Sequence, residues 1–298
     1  MSKQTFHHRL LALHYVLPVP LNRLKPLLQV DPDLATCERM SNQQLSYLLK
    51  LPQPRAQKFK ESYRKALETP LIQAYETHNI TPLPFNHPNY PKPLNTLYDP
   101  PAVLYAKGRL DYLFMNYHVA VIGSRDATDY SKQAMSYILP PLVKHDMVIV
   151  SGLAKGADAM AHQLTHDIGG KTIGVLGHGH FHRYPPENTN LYAIMEKYHL
   201  TLSEYPPYVS IQRWYFPMRN RIISGLSQAV VVTEAKEKSG TVSTLQHALD
   251  NGKDVYCVPG PITSMLSLGP HQSLLEGAKP VWNGYQIVEE LLSMPVNK

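Results

Sequence analysis

From Val119 onward, short apolar runs rich in β-branched residues alternate with segments of helical spacing, and no other feature constrains the fold as much. The apolar runs are Val119–Gly123, Met147–Ser151, Lys171–Gly177, Leu200–Glu204, Ala229–Glu234, Asp254–Pro259 and Lys279–Trp282. Between them lie Ser131–Val143, Ala157–His166, Asn190–Tyr198, Arg219–Leu226, Thr241–Asp250 and Gln272–Gly277, each of helical character. Strands apolar on both faces, separated by helices, imply right-handed βαβ crossovers and a mostly parallel sheet covered on both sides. The expected class is α/β: an extended, Rossmann-like, doubly wound sheet. Strand order is not readable from this pattern.

Residues 1 to about 75 read differently. Phe6–Tyr15, Leu21–Leu28, Asn42–Leu49 and Arg55–Leu67 carry apolar residues at helical spacing, with Pro and Asp between them. A small all-helical domain over 1–75 is expected, followed by a Rossmann-like domain over 76–298. The stretch Thr81–Pro101 is rich in proline, which fixes φ and removes donors, so an extended connector laid over the surface is expected there. Val103–Lys107 reads as a short strand.

With 43% hydrophobic residues the chain can build a large core, yet it has no run of about 18 apolar residues that would span a membrane. The N-terminus lacks a long apolar run ending in a small-residue cleavage site, so no secretory signal is expected. Cys37 and Cys257 are isolated, which fits a reducing cytoplasm and gives no disulfide framework or thiolate metal site. The net charge of +6 is uneven. Residues 1–80 hold 11 Lys/Arg against 6 Asp/Glu, while 81–298 hold 18 against 17. Any anion site in the larger part must come from local placement of charge.

Open α/β sheets bind ligands beyond the carboxyl ends of their strands. The segments placed there are Gly123–Ser131, Ser151–His162, Gly177–Asn188, Ser203–Pro207 leading to Arg213–Ser227, Glu234–Thr244 and Pro259–Gly269. They are rich in Gly, Ser, Thr, Arg and Lys. Glycine lets backbone approach an anion, and helix starts offer free N–H groups. Arg125, Lys155, Arg213, Arg219 and Arg221 are expected to converge on this edge as a phosphate-binding pocket. The competing reading has the arginines capping helices or pairing with Asp126, Glu204 and Glu234. Trp214, Tyr215 and Phe216 interleave rings with these charges; one exposed ring would stack on a base, while Phe216, before Pro217, is expected in the core.

Several enzymatic patterns are missing from the sequence: GxxxxGK[ST], GxGxxG after the first strand, GxSxG, HExxH and a close carboxylate pair. His178, His180 and His182 alternate in one loop, where solvated or pocket-lining roles compete with metal binding. Asp158 and His162, one helical turn apart, are expected to fix a turn and hydrogen-bond one another.

The ordered set VAVIGSR, IVSGLAKGADAMAH, TIGVLGHG…YPPEN, LSEYPP, FPMRNRIISGLS, VVVTEAKEKSGTVST, VPGPITS and LLEGA resembles the DNA-processing protein A family (DprA, also called Smf) over about residues 81–282. The resemblance implies a cytoplasmic, non-enzymatic homodimer that binds incoming single-stranded DNA in natural transformation. It further implies protection of that strand and its delivery to the RecA recombinase, without cofactor, metal or membrane. Carried over residue by residue, the DNA pocket would comprise Gly123, Ser124, Arg125, Ser151, Gly152, Lys155, Arg213, Arg219, Asn220, Arg221, Ser239, Gly240 and Thr241. The N-terminal unit resembles the family's sterile-alpha-motif-like interaction domain.

Three places depart from the family pattern: Gly156-Ala157-Asp158, the histidine loop, and Gly269-Pro270-His271. After the last strand comes little more than the helix-like Gln286–Met294, so the winged-helix domain that many members carry is not expected here. The alternative from another class is a nucleotide monophosphate-processing enzyme of the lysine decarboxylase-like Rossmann group, suggested by the Ser239-Gly240-Thr241 turn. A third is a protein-interaction scaffold built on the basic N-terminal unit.

Overall fold

The computed structural model describes residues 5–250 and 252–293. Five helices come first: α1 (Phe6–Val16), α2 (Leu21–Val30), α3 (Asn42–Leu48), α4 (Gln53–Glu68) and α5 (Leu71–Glu76). Thr5 caps α1, and Ser41 with Gln44 forms a capping box on α3, so two of these starts are fixed by local chemistry. Leu10, Leu13, Leu24, Leu27, Leu45, Phe59 and Tyr63 fill the centre of this unit.

A nine-stranded sheet follows. Its strands are β1 (Ile80–Pro84), β2 (Val103–Gly108), β3 (His118–Ile122), β4 (Val148–Ser151), β5 (Lys171–Leu176), β6 (Leu200–Ser203), β7 (Ala229–Val232), β8 (Asp254–Cys257) and β9 (Lys279–Pro280). They lie in the order β1-β2-β6-β5-β4-β3-β7-β8-β9. All neighbours from β6 to β9 pair in parallel, whereas β1–β2 and β2–β6 are antiparallel. The crossovers are α6 (Asp129–Lys144), α7 (Ala157–Asp167), α8 (Thr189–Tyr198), α9 (Tyr215–Leu226), α10 (Gly240–Asp250) and α11 (Leu268–Leu275), and α12 (Gly284–Ser293) packs against α6. Met294, the last residue of the expected terminal helix, lies outside the described residues. The two sheet faces bury separate apolar clusters, one around Val150, Ile173 and Val230, the other around Val121, Ile149 and Val231. This is the doubly wound, mostly parallel sheet the alternation implies.

The expectation of a surface connector over Thr81–Pro101 is corrected. Its first residues form the edge strand β1, where Pro82 and Pro84 cost little because an outer strand has one side without a ladder. Further on, Tyr90 and Leu94 are buried, and Leu94 and Leu97 press against Gly225 of α9. The helical unit's apolar cluster also takes in Ile80, Val103 and Tyr105 of this sheet edge.

The direction of winding reverses in the sheet between the parallel strands β3 and β7. From β3 the chain winds outward through β4, β5 and β6; from β7 it winds the opposite way through β8 and β9. Beyond the carboxyl ends of β3 and β7 the loops therefore diverge and leave a crevice.

Candidate functional site

The crevice holds a cavity of about 340 Å³. Its walls are the β3–α6 turn (Gly123 to Asp126), the first turns of α9 (Phe216, Arg219, Asn220) and the β7–α10 turn (Lys236, Ser239, Gly240, Thr241). Glu234, buried at the end of β7, shapes the first wall. Its carboxylate accepts from the Thr128 N–H (2.7 Å), the Thr128 hydroxyl (2.9 Å) and the Ser131 hydroxyl (2.7 Å). Its carbonyl accepts from the Ser124 N–H at 2.6 Å, and Thr241 Oγ1 donates to the Gly123 carbonyl at 3.1 Å. The two turns are thus tied together.

The turn after β4 is equally fixed. Gly156 has φ +78°, and a side chain there would strike the carbonyls of Ser124 and Arg125. Asp158 Oδ2 accepts from the N–H groups of Gly152 (3.2 Å) and Ala154 (3.4 Å). Burial raises the Asp158 carboxyl, and the Arg219 guanidinium pulls against that rise. Arg219 is itself buried, donating Nη1 to the carbonyls of Gly152 and Val175 and Nε to Asn220 Oδ1 (3.1 Å). Gly152 has no side chain because that guanidinium occupies the space.

A second cavity of about 220 Å³ adjoins the first, with Arg125, Ala154 and Phe216 common to both. Lys155, His178, Tyr184, Pro185 and Tyr192 line it. The exposed Arg125 guanidinium sits 5.6 Å from the centre of the Phe216 ring, and Tyr184 lies 5.5 Å from the same ring. A cation and two aromatic rings therefore meet where the cavities join.

The expected residues divide. Gly123, Ser124, Arg125, Arg219, Asn220, Ser239, Gly240 and Thr241 line the first cavity, and Gly152 and Lys155 the second. Ser151 is buried, its hydroxyl donating to the Val121 carbonyl at 2.6 Å, so it joins strands rather than facing the crevice. Arg213 is exposed but lines neither cavity. Arg221 is corrected outright: it turns away to pair with the buried Glu204 at 2.6 Å. Arg219 stands at the cavity wall with its charge spent on backbone carbonyls and Asp158.

Phe216 was expected in the core and instead faces both cavities, while Tyr215 packs on Tyr205 at 3.9 Å and Trp214 is 63% exposed. Lys236 was missed; it lines the first cavity and pairs with Asp126 across its mouth at 3.2 Å. Its place two residues after the strand-ending Glu234 was the available signal. Asp158 and His162 do not bond each other: His162 bonds Thr172 Oγ1 (2.6 Å), and burial lowers it to about 3. The loop histidines diverge, with His178 on Tyr192, His182 on the Tyr208 carbonyl, and His180 buried and pushed down to about 3.

The model of the family described as DNA recombination-mediator protein A matches residues 81–292. The DNA processing protein DprA of Bacillus subtilis is 42% identical over 221 residues, 74% of each chain. The crystal structure of DNA processing protein A from Streptococcus pneumoniae superposes with TM-score 0.79 and 32% identity, covering 94% of this chain and 96% of that one. DNA processing protein A of Helicobacter pylori, studied for its single-stranded DNA binding mode, gives TM-score 0.65 and 31% identity over 72% of this chain and 95% of its own.

Proposed function

The chain belongs to the DNA recombination-mediator protein A family, and from that footing we propose that it binds single-stranded DNA in the crevice between β3 and β7. The observation that carries this reading is the junction of the two cavities, where the Arg125 guanidinium lies over Phe216 beside Tyr184 and near Lys155. Cations bind phosphate and rings stack on unpaired bases whatever their sequence. Gly123, Ser124, Ser239, Gly240 and Thr241 supply the backbone wall, with Lys236 at the mouth. In this reading the protein works in the cytoplasm as a homodimer, protecting incoming DNA in natural transformation and delivering it to the RecA recombinase. The site is read as one of binding, not catalysis, because its buried carboxylates are engaged: Asp158 by N–H groups and Arg219, Glu234 by Thr128 and Ser131.

Fluorescence anisotropy with single- and double-stranded oligonucleotides across a salt series tests this. Affinity for the single strand should exceed that for the duplex, whose stacked bases cannot enter the junction. It should fall with salt at a slope of about −0.7 per phosphate contacted. Arg125→Ala removes a charge-assisted contact of about 1.5–3 kcal/mol, so binding should weaken about ten- to hundredfold with thermal stability unchanged. Equal affinity for duplex, or an Arg125→Ala protein that binds normally, defeats the proposal. Ribose phosphate release from nucleotide monophosphates would favour the enzymatic alternative.

Asp126 opposes an anion at the cavity mouth and holds Lys236 in an exposed pair. Asp126→Asn should tighten single-strand binding about two- to fivefold, in keeping with the small worth of such pairs. Weakened binding in the same assay would show Asp126 to be needed for the site's shape.

A further inference from the structure

We infer that the single strand meets a second contact on the helical unit, formed by Tyr98, Arg23, Lys50 and Tyr47, after crossing Arg213 and Trp214. This rests on the reading of the crevice as a single-stranded DNA site.

Strand register puts the patch on the same edge as the crevice. Because β2 runs antiparallel to β6, with Tyr105 opposite Ser203 and Gly108 opposite Leu200, the chain enters β2 beside the carboxyl end of β6. Tyr98 lies in that entering segment. There α2 is anchored: Leu21 N–H donates to the Pro100 carbonyl at 2.9 Å, and the Asn22 side chain donates to the Tyr98 carbonyl. Arg23 reaches the Lys50 carbonyl at 3.0 Å, and the Lys50 N–H closes on the Tyr47 carbonyl at 3.3 Å. These contacts join the segments that carry the four residues into one strip. Four strand spacings separate β3 from β2, roughly 19 Å at about 4.8 Å each.

The strip has the chemistry of a single-strand track. Tyr98 is 93% exposed and Tyr47 83%, so neither ring contributes to the core. Charge is segregated along the sequence here: residues 17–30 and 41–60 contain six Lys/Arg and no Asp or Glu, while the acids of 1–80 fall within 31–38 and 61–76. Asp99, beside Tyr98, is half-buried. Cations that follow the phosphates, with exposed rings between them, suit an unpaired strand of any sequence. The gap is bridged by the loop after β6, which packs Tyr208 on Tyr15 of α1 at 4.8 Å and carries the exposed Arg213 and Trp214.

The test compares labelled oligothymidylates of about four and about twenty nucleotides, since groove-type sites take about 4–16 nucleotides each. With the full chain, Tyr98→Ala and, separately, Lys50→Glu should weaken the long oligonucleotide at least about fivefold and leave the short one within about twofold. A long oligonucleotide carrying 5-iodouracil should photocrosslink to Tyr98 or Tyr47. Unchanged long-strand affinity in both variants overturns the second contact and leaves the patch to an acidic protein partner; equal loss at both lengths overturns it too. If the wild type fails to bind the short oligonucleotide and Arg125→Ala changes neither length, the crevice reading falls instead.

Discussion

Arg219→Ala should lower the stability of the fold by about 3–5 kcal/mol, the usual consequence of removing one partner from a buried charged arrangement. The guanidinium holds the carbonyls of Gly152 and Val175 together, so it joins the ends of neighbouring strands β4 and β5. Its loss strands two acceptors and withdraws the charge that offsets burial of Asp158. It also opens a hole beside Gly152, which has no side chain to fill it. Urea unfolding followed by circular dichroism measures the cost. A loss below about 1 kcal/mol would mean that Arg219 is an ordinary surface cation. Binding by this variant is informative only at temperatures where it remains folded, in contrast to Arg125→Ala.

That contrast marks what the sequence displays and what it conceals. The parallel strands β3 to β8 are visible because they are buried on both faces and so read as near-continuous apolar runs; β1 is not, since Pro82 and Pro84 suppress the signal that an edge position tolerates. The FPMRNRIISGLS segment is recognisable, yet its arginines do not share a role. Tyr215–Leu226 is helical, and residues two apart on a helix point about 200° apart, so Arg219 and Arg221 cannot face one cavity. Arg219 goes to the β4–β5 ends and Arg221 to Glu204. Phe216, three residues before Arg219, shares its face and therefore reaches the cavities. Periodicity could have separated these residues. The crevice itself depends on β7 lying beside β3, which follows only from strand order.

Arg221→Ala should produce a loss that depends on pH. The Arg221 side chain meets Glu204 where both are almost fully buried, and Glu204 Oε1 accepts from Nη2 at 2.6 Å. Burial carries the Glu204 carboxyl above its ordinary 4.5 even in the native protein, with Arg221 opposing the rise. Without Arg221 the rise grows, and folding then favours the protonated acid. The sign follows from linkage: a carboxyl whose folded value lies above its unfolded value loses stability as pH rises between the two. The deficit relative to the native protein should be smallest near about pH 4 and increase through its raised range. It should level off at about 3–5 kcal/mol once the folded carboxylate must ionise unpaired. Arg221→Met combined with Glu204→Gln keeps the volume and removes the charge, so it should recover most of the loss and flatten the pH dependence. Denaturation of the three proteins at several pH values decides the matter, and a deficit that is the same at all of them would mean that packing, not the ion pair, is what Arg221 supplies.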